Sequence, residues 1–245
     1  MTPTIDLMTR HRSIRKFTDE PIAEATLARL IEAGQGAATS SFLQGTTVIR
    51  VTRPETRAQF VELAGNQTYI ASAPEFMVFC ADLRRAAAGC AMHGKEAVEG
   101  MTEHFIIATV DVALFAQNVA LAAESMGLGI CYIGAVRNDP QRASELLELP
   151  RGVYPVFGMC IGKPAQDPEV KPRLPLTVVL KQDVYRDEAD KAVIAEYDER
   201  VRAYYRTRTG NPKSQCWSEQ MSGLLGREAR PHMRGFLEQR GFLKR

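Results

Sequence analysis

Residues 11–17 read HRSIRKF, and with Arg10 before them they gather four cations and an imidazole around one hydroxyl in a chain whose formal net charge is only +2. Two chemistries fit. Cations at the C-terminal end of a helix are favoured by its macrodipole and stay solvated. Alternatively, His11, Arg12, Ser13 and Arg15 converge as donors on an oxyanion, with Lys16 left to solvent. A second cation pair, Lys171 and Arg173, flanks Pro172, whose ring stiffens the backbone between them; a solvated loop and an anion clamp are both open there.

Three further stretches offer polar groups at ligand-binding spacing. ATSSFLQG (38–45) presents Ser40 and Ser41 as caps or as phosphate ligands, and GNQTYI (65–70) presents Gln67, whose amide both donates and accepts. MGLGICYIGA (126–135) is rich enough in glycine for backbone N–H groups to approach a ligand, or simply for a tight turn. Its glycines do not fit GxGxxG, and it runs from helix to strand, so a Rossmann dinucleotide site is excluded. No GxSxG, Walker loop or HExxH occurs, and His93, His104 and His232 are scattered. The five cysteines are widely spaced without CxxC pairs, which argues against a metal site or disulfide framework and for a reducing, cytoplasmic setting. No side chain stands out as catalytic, so an enzyme of this sequence would rely on a bound cofactor.

The elements that must position these residues alternate. Apolar spacing predicts a helix over 23–37 and another over 103–126, and β-branched or apolar runs predict strands at 46–52, 75–82, 129–136 and 154–164, with a short helix in DPQRASELLEL (139–149). This is the pattern of a mixed α+β domain around an antiparallel or mixed sheet. Residues 104–129 are apolar enough to suggest a membrane span, but Asp111, Gln117, Asn118 and Glu124 interrupt them, and a central Asp alone costs roughly 2.5–3.5 kcal/mol on insertion. A core helix is expected instead, with enough apolar surface to suggest a dimer. The N-terminus lacks the apolar segment of a signal peptide.

From about residue 186 a charged amphipathic helix (188–208), the loop TGNPKSQC and shorter helices near 217–226 and 231–240 follow, so the chain divides into a core over 1–185 and a helical extension of the same domain over 186–245. From Glu199 onward 11 Lys or Arg face 4 Glu, a charge of +7 against −5 for all that precedes. Such a tail suits nucleic acid, an anionic ligand or solvent. No helix-turn-helix spacing or RNP-like run supports the first.

Taken together, HRSIRKFTDEPI, SSFLQ, GNQTYI, AESMGLGICYIGAVRN, KPRLP and YYRTR followed by CWSEQ resemble the nitroreductase superfamily, closest to its NADPH-dependent, oxygen-insensitive branch. The resemblance implies an FMN-dependent α+β fold with a mostly antiparallel central sheet, and a homodimer with flavin at the subunit interface. It implies that His11, Arg12 and Ser13 meet the FMN phosphate and ribityl region, Arg15 the N1–C2=O edge, Gln67 the pyrimidine ring, and Tyr132, Ile133 and Gly134 the N5 side. Lys171 and Arg173 become a second phosphate clamp, and Ser40 and Ser41 come from the partner subunit. Arg208 and Lys213 would meet the 2′-phosphate of NADPH. Ala135 and Lys213 depart from close relatives, which have glycine and arginine there. The implied activity is two-electron, ping-pong reduction of nitroaromatics or quinones by NADPH, with flavin N5 carrying the chemistry; the alternative is a flavin reductase that releases reduced FMN to another protein.

Overall fold

EFMVFCAD runs apolar without a break from Phe76 to Ala81 because β2 (Glu75–Asp82) is buried at every position. Strands covered on both faces read as continuous apolar runs rather than alternating ones. In the computed structural model, which describes residues 2–210 and 212–245, β2 pairs antiparallel with β1 (Thr46–Arg50) and with β4 (Val153–Gly162). β4 pairs antiparallel in turn with β3 (Gly129–Ile133), giving the order β1-β2-β4-β3 among the described residues. The expected α+β class with an antiparallel sheet is borne out.

Helices cover both faces. On one, α2 (Glu24–Gln35) and α6 (Thr102–Ser125) pack Leu27, Leu30, Val112 and Val119 against Met77, Phe79 and Met159. On the other, α3 (Pro54–Leu63), α4 (Tyr69–Ser72) and α7 (Pro140–Leu146) place Phe60, Ile70 and Ala143 around Phe76 and Val78. Each such side chain contributes about 1.5–3 kcal/mol by leaving water. Pro54 and Pro140 sit in the first turn of their helices, where no intrahelical N–H bond is lost, and the Asp139 carboxylate accepts the Arg142 N–H at 2.9 Å to cap α7.

Two expectations need correction. HRSIRKF is not a helix end: α1 (Pro3–Thr9) stops before it, and the stretch runs extended along β3. Ser13 bridges Ile130 in parallel, the Ile14 N–H donates to the Ile130 carbonyl at 2.8 Å, and Phe17 bridges Pro164. β3 is an edge strand with free backbone groups, and pairing with them outweighs the helix option. Gly129 permits the approach, since a Cβ there would lie 2.5 Å from Ile14 Cγ1. The strand expected over 129–136 ends at Ile133, where residues 134–138 wind into a 3-10 turn; likewise the first strand stops at Arg50. As expected of a core helix with apolar surface to spare, α6 is buried along one face, while Ile106, Val110 and Leu114 on the other are 48%, 49% and 44% exposed. It is the one helix among the described residues long and apolar enough to cross a membrane by length and composition.

The chain forms two compact units. One comprises the residues up to Gln166 together with Arg230–Arg245. It contains the sheet, α5 (Arg84–Met92) and α11 (Met233–Gln239), whose Phe236 and Leu237 join the core; Phe242 beyond them packs on Tyr154 at a ring separation of 4.9 Å. The other, Asp167–Ala229, holds α8 (Leu176–Val179), α9 (Asp190–Thr207) and α10 (Trp217–Leu225) around its own small core of Tyr197, Val201 and Tyr205. Much of the basic tail is engaged internally: Arg202 pairs with Glu199 and Glu219, Arg234 with Glu238, and Arg240 donates to the carbonyls of Leu149, Pro150 and Val153.

Candidate functional site

The extended strap 11–17 delivers its polar residues to the β3 edge. His11 Nδ1 lies 2.5 Å from the Glu124 carboxylate on α6, and half-buried Arg12 and Ser13 follow it. The Arg15 guanidinium lies beside the Tyr69 hydroxyl, which donates to Gln67 Oε1 at 2.5 Å. Burial pushes the Tyr69 hydroxyl pKa up, and Arg15 opposes that shift. The same burial raises the Cys131 thiol against the pull of Arg15, which makes this cysteine a packing residue rather than a nucleophile. Arg15 thus stands beside the hydrogen-bonded Tyr69–Gln67 pair, whose amide still has donors to offer.

The β3 residues adjoin it. The Tyr132 ring packs edge-on against Phe157, and its hydroxyl donates to Gln117 Oε1 of α6 at 3.4 Å; burial pushes its pKa up. Ile133 is buried, and Gly134 opens the 3-10 turn, where an added Cβ would meet the Arg137 guanidinium at 3.4 Å.

Ser40 and Ser41 lie on a different element, the loop before β1. The Asp111 carboxylate of α6 accepts the Ser40 N–H at 3.1 Å and the Gly45 N–H at 3.3 Å. Between them Ser41, Phe42 and Gln44 all have positive φ, and Phe42 is 79% exposed. The two serines flank a cavity of about 740 Å³ lined also by Leu83, Ala87, Val98 and His104. That volume is within the range of small-molecule sites.

In the second unit, Lys171 Nζ stands 5.1 Å and the Arg208 guanidinium 4.6 Å from the centre of the Tyr205 ring. Burial pushes the Tyr205 hydroxyl up, but Lys171, Gln220 and Arg208 together outweigh it and leave the pKa below its ordinary value. The Tyr197 hydroxyl donates to the Pro172 carbonyl at 2.9 Å, which pins the KPR turn to α9 and keeps Arg173 close to Tyr197. Lys213 is exposed, on a loop tied to α9 by its N–H bond to the Tyr205 carbonyl at 3.1 Å; Asn211 of that loop lies outside the described residues.

Four partners were given no role by motif reading: Tyr69, Asp111, Glu124 and Tyr205. Two carried a signal, since Asp111 and Glu124 are lone acids in an apolar helix.

The donor set fits a phosphorylated, planar, hydrogen-bonding cofactor: cations and hydroxyls for a phosphate, an amide and a guanidinium for a heterocycle edge. Two family models match the chain, the nitroreductase family over residues 8–163 and the nitroreductase family C-terminal domain over 171–245. The chain belongs to the nitroreductase family. It is 44% identical to an NADPH-flavin oxidoreductase of Vibrio harveyi and 42% identical to an oxygen-insensitive NADPH nitroreductase of Salmonella typhimurium, over 100% of each chain. A solved structure described as an NADPH:FMN oxidoreductase from Vibrio harveyi complexed with NAD+ superposes with a TM-score of 0.91 at 43% identity, covering 100% of both chains.

Proposed function

We propose that this protein is an FMN-dependent NADPH oxidoreductase that reduces nitroaromatics and quinones two electrons at a time, in ping-pong order, as a cytoplasmic homodimer. The carrying observation is Arg15 set beside the hydrogen-bonded Tyr69–Gln67 pair. FMN, when bound, supplies the hydride chemistry that no side chain here offers. In this reading His11, Arg12 and Ser13, with Lys171 and Arg173, hold its phosphate and ribityl chain. Gln67 pairs with the pyrimidine ring, and the backbone of Tyr132, Ile133 and Gly134 faces N5. Arg15 lies at the N1–C2=O edge, where its guanidinium favours negative charge. Ser40 and Ser41 serve the site of the second copy. Arg208 and Lys213 receive the 2′-phosphate of NADPH.

Internal pairing of the basic tail supports small anionic ligands over nucleic acid, and five free thiols support a reducing compartment. The likeness to an NADPH-flavin oxidoreductase favours a second reading, release of reduced FMN to another protein. An absorption spectrum taken before and after gel filtration separates these outcomes. Protein that stays yellow with one FMN per chain supports the nitroreductase reading, and flavin lost from an active protein supports the second. A chain that neither binds FMN nor oxidises NADPH in its presence would overturn both.

A further inference from the structure

We infer that Asp111 is the positioning residue of the flavin-facing loop 39–45, a role that rests on the reading of Ser40 and Ser41 as ligands of a second copy's flavin. One carboxylate, 1% exposed in the middle of an apolar helix, accepts the N–H groups at both ends of the loop, those of Ser40 and Gly45. A buried carboxylate is costly unless it is fully bonded, and here both oxygens are used on the same short segment. The loop needs such a hold. Ser41, Phe42 and Gln44 have φ of 49°, 57° and 55°, and none is glycine, although the chain places glycine at positive φ at Gly65, Gly94, Gly100, Gly127, Gly152 and Gly241. Non-glycine residues persist in this region only where the surroundings over-determine it.

Other bonds support the loop without replacing the clamp. The Arg85 guanidinium donates to the Gln44 carbonyl at 3.2 Å, and the Gln44 N–H donates to Thr39 Oγ1 at 3.3 Å. The first holds the C-terminal half, and the second closes the loop on itself without anchoring it to a helix. Asp111 is what ties the Ser40 end to α6, and so sets where Ser40 and Ser41 are presented. Its effect on turnover is therefore indirect, through the flavin's seat.

Residue-resolved amide exchange and FMN titration of the full-length chain test this in wild type, Asp111→Asn and Asp111→Asn/Gln44→Gly. The asparagine keeps the volume but turns one acceptor into a donor facing an N–H. The expected result is fast exchange at Ser40 and Gly45, and FMN affinity lower by about tenfold, the scale of one lost charge-assisted bond. Melting of the flavin-free chain should change little. Glycine at position 44 relaxes the positive φ and should recover about threefold; a purely packing role for Asp111 predicts no recovery. Unchanged exchange, unchanged FMN affinity, or no glycine rescue in Asp111→Asn would overturn the assignment. So would a wild-type chain whose Ser40 and Gly45 amides exchange as fast as that of exposed Ser214, a measurement that needs no folded variant. A wild-type chain that takes up no FMN would overturn the flavin reading and this assignment with it, whereas FMN-binding wild type with an unaffected variant would overturn this assignment alone.

Discussion

Arg208 and Lys213 are both cations of the same tail, but their surroundings differ. Arg208 ends α9 with its guanidinium over the Tyr205 ring, and its N–H bonds the Tyr204 carbonyl, so its position is set by a helix end and an aromatic face. Lys213 is exposed and is fixed only through its backbone. A rigid guanidinium fork recognises a phosphate with less loss of side-chain entropy than a flexible ammonium does. Arg208→Ala should therefore lower kcat/KM for NADPH by about ten- to a hundredfold, the ~1.5–3 kcal/mol of a charged hydrogen bond, and leave NADH nearly unchanged. Lys213→Ala should cost less. Both dinucleotides measured at one ionic strength decide it: equal losses for NADPH and NADH would rule out recognition of the 2′-phosphate by Arg208.

At the scale of elements, α6 organises the first unit. Its four polar interruptions each take a separate piece of structure: Asp111 the Ser40 loop, Gln117 the Tyr132 hydroxyl, Asn118 the Ala33 carbonyl at 3.2 Å, and Glu124 the His11 ring. Near its start Phe105 stacks on Tyr154, whose hydroxyl lies 2.5 Å from Thr109 Oγ1, and Phe242 closes the cluster. Burial pushes the Tyr154 hydroxyl up to about 12. The folded state thus prefers the neutral phenol, a preference fully present below an unfolded value near 10 and lost as pH rises through 12, about 3 kcal/mol in all. Tyr154→Phe should be less stable than wild type by about 1 kcal/mol near pH 7, for the lost hydrogen bond, and should overtake it by about pH 12. Urea midpoints that keep a constant difference across that range would contradict this. The strands and α6 were legible in the sequence because burial imposes long apolar runs. The helices α3 and α5 were not, since PETRAQFVEL buries only Thr56 and Phe60, and RRAAAGCAM buries nothing. The conformation of HRSIRKF and the partners of Asp111 and Glu124 were hidden for another reason: they depend on residues 71 and 113 positions away, which no local pattern encodes.

The whole molecule leaves apolar surface uncovered in each unit taken by itself. In the first, Ile106, Val110 and Leu114 form a stripe at helical spacing along α6, on the helix whose Asp111 holds the Ser40 loop. In the second, Leu176, Val179 and Leu180 are 70%, 67% and 67% exposed, and Tyr185 is 80% exposed. Monomers rarely leave such stripes open to water, and a two-fold interface would bury the α6 stripe on both copies at once. Symmetry also doubles any defect, because one substitution enters the interface twice. Leu114→Glu would bury a carboxylate from each copy with no partner designed for it. At the ~2–7 kcal/mol cost of an unbonded buried polar group, dimerisation should weaken by about thirtyfold or more. Because Ser40 and Ser41 are read as ligands of the other copy's flavin, the same variant should also release FMN, while Ser125→Glu, at the exposed end of α6, should do neither. Light scattering with in-line absorbance at 450 nm reads mass and flavin together. A Leu114→Glu monomer that keeps its FMN would separate the flavin site from the interface, and a wild-type monomer with FMN bound would remove the dimer altogether.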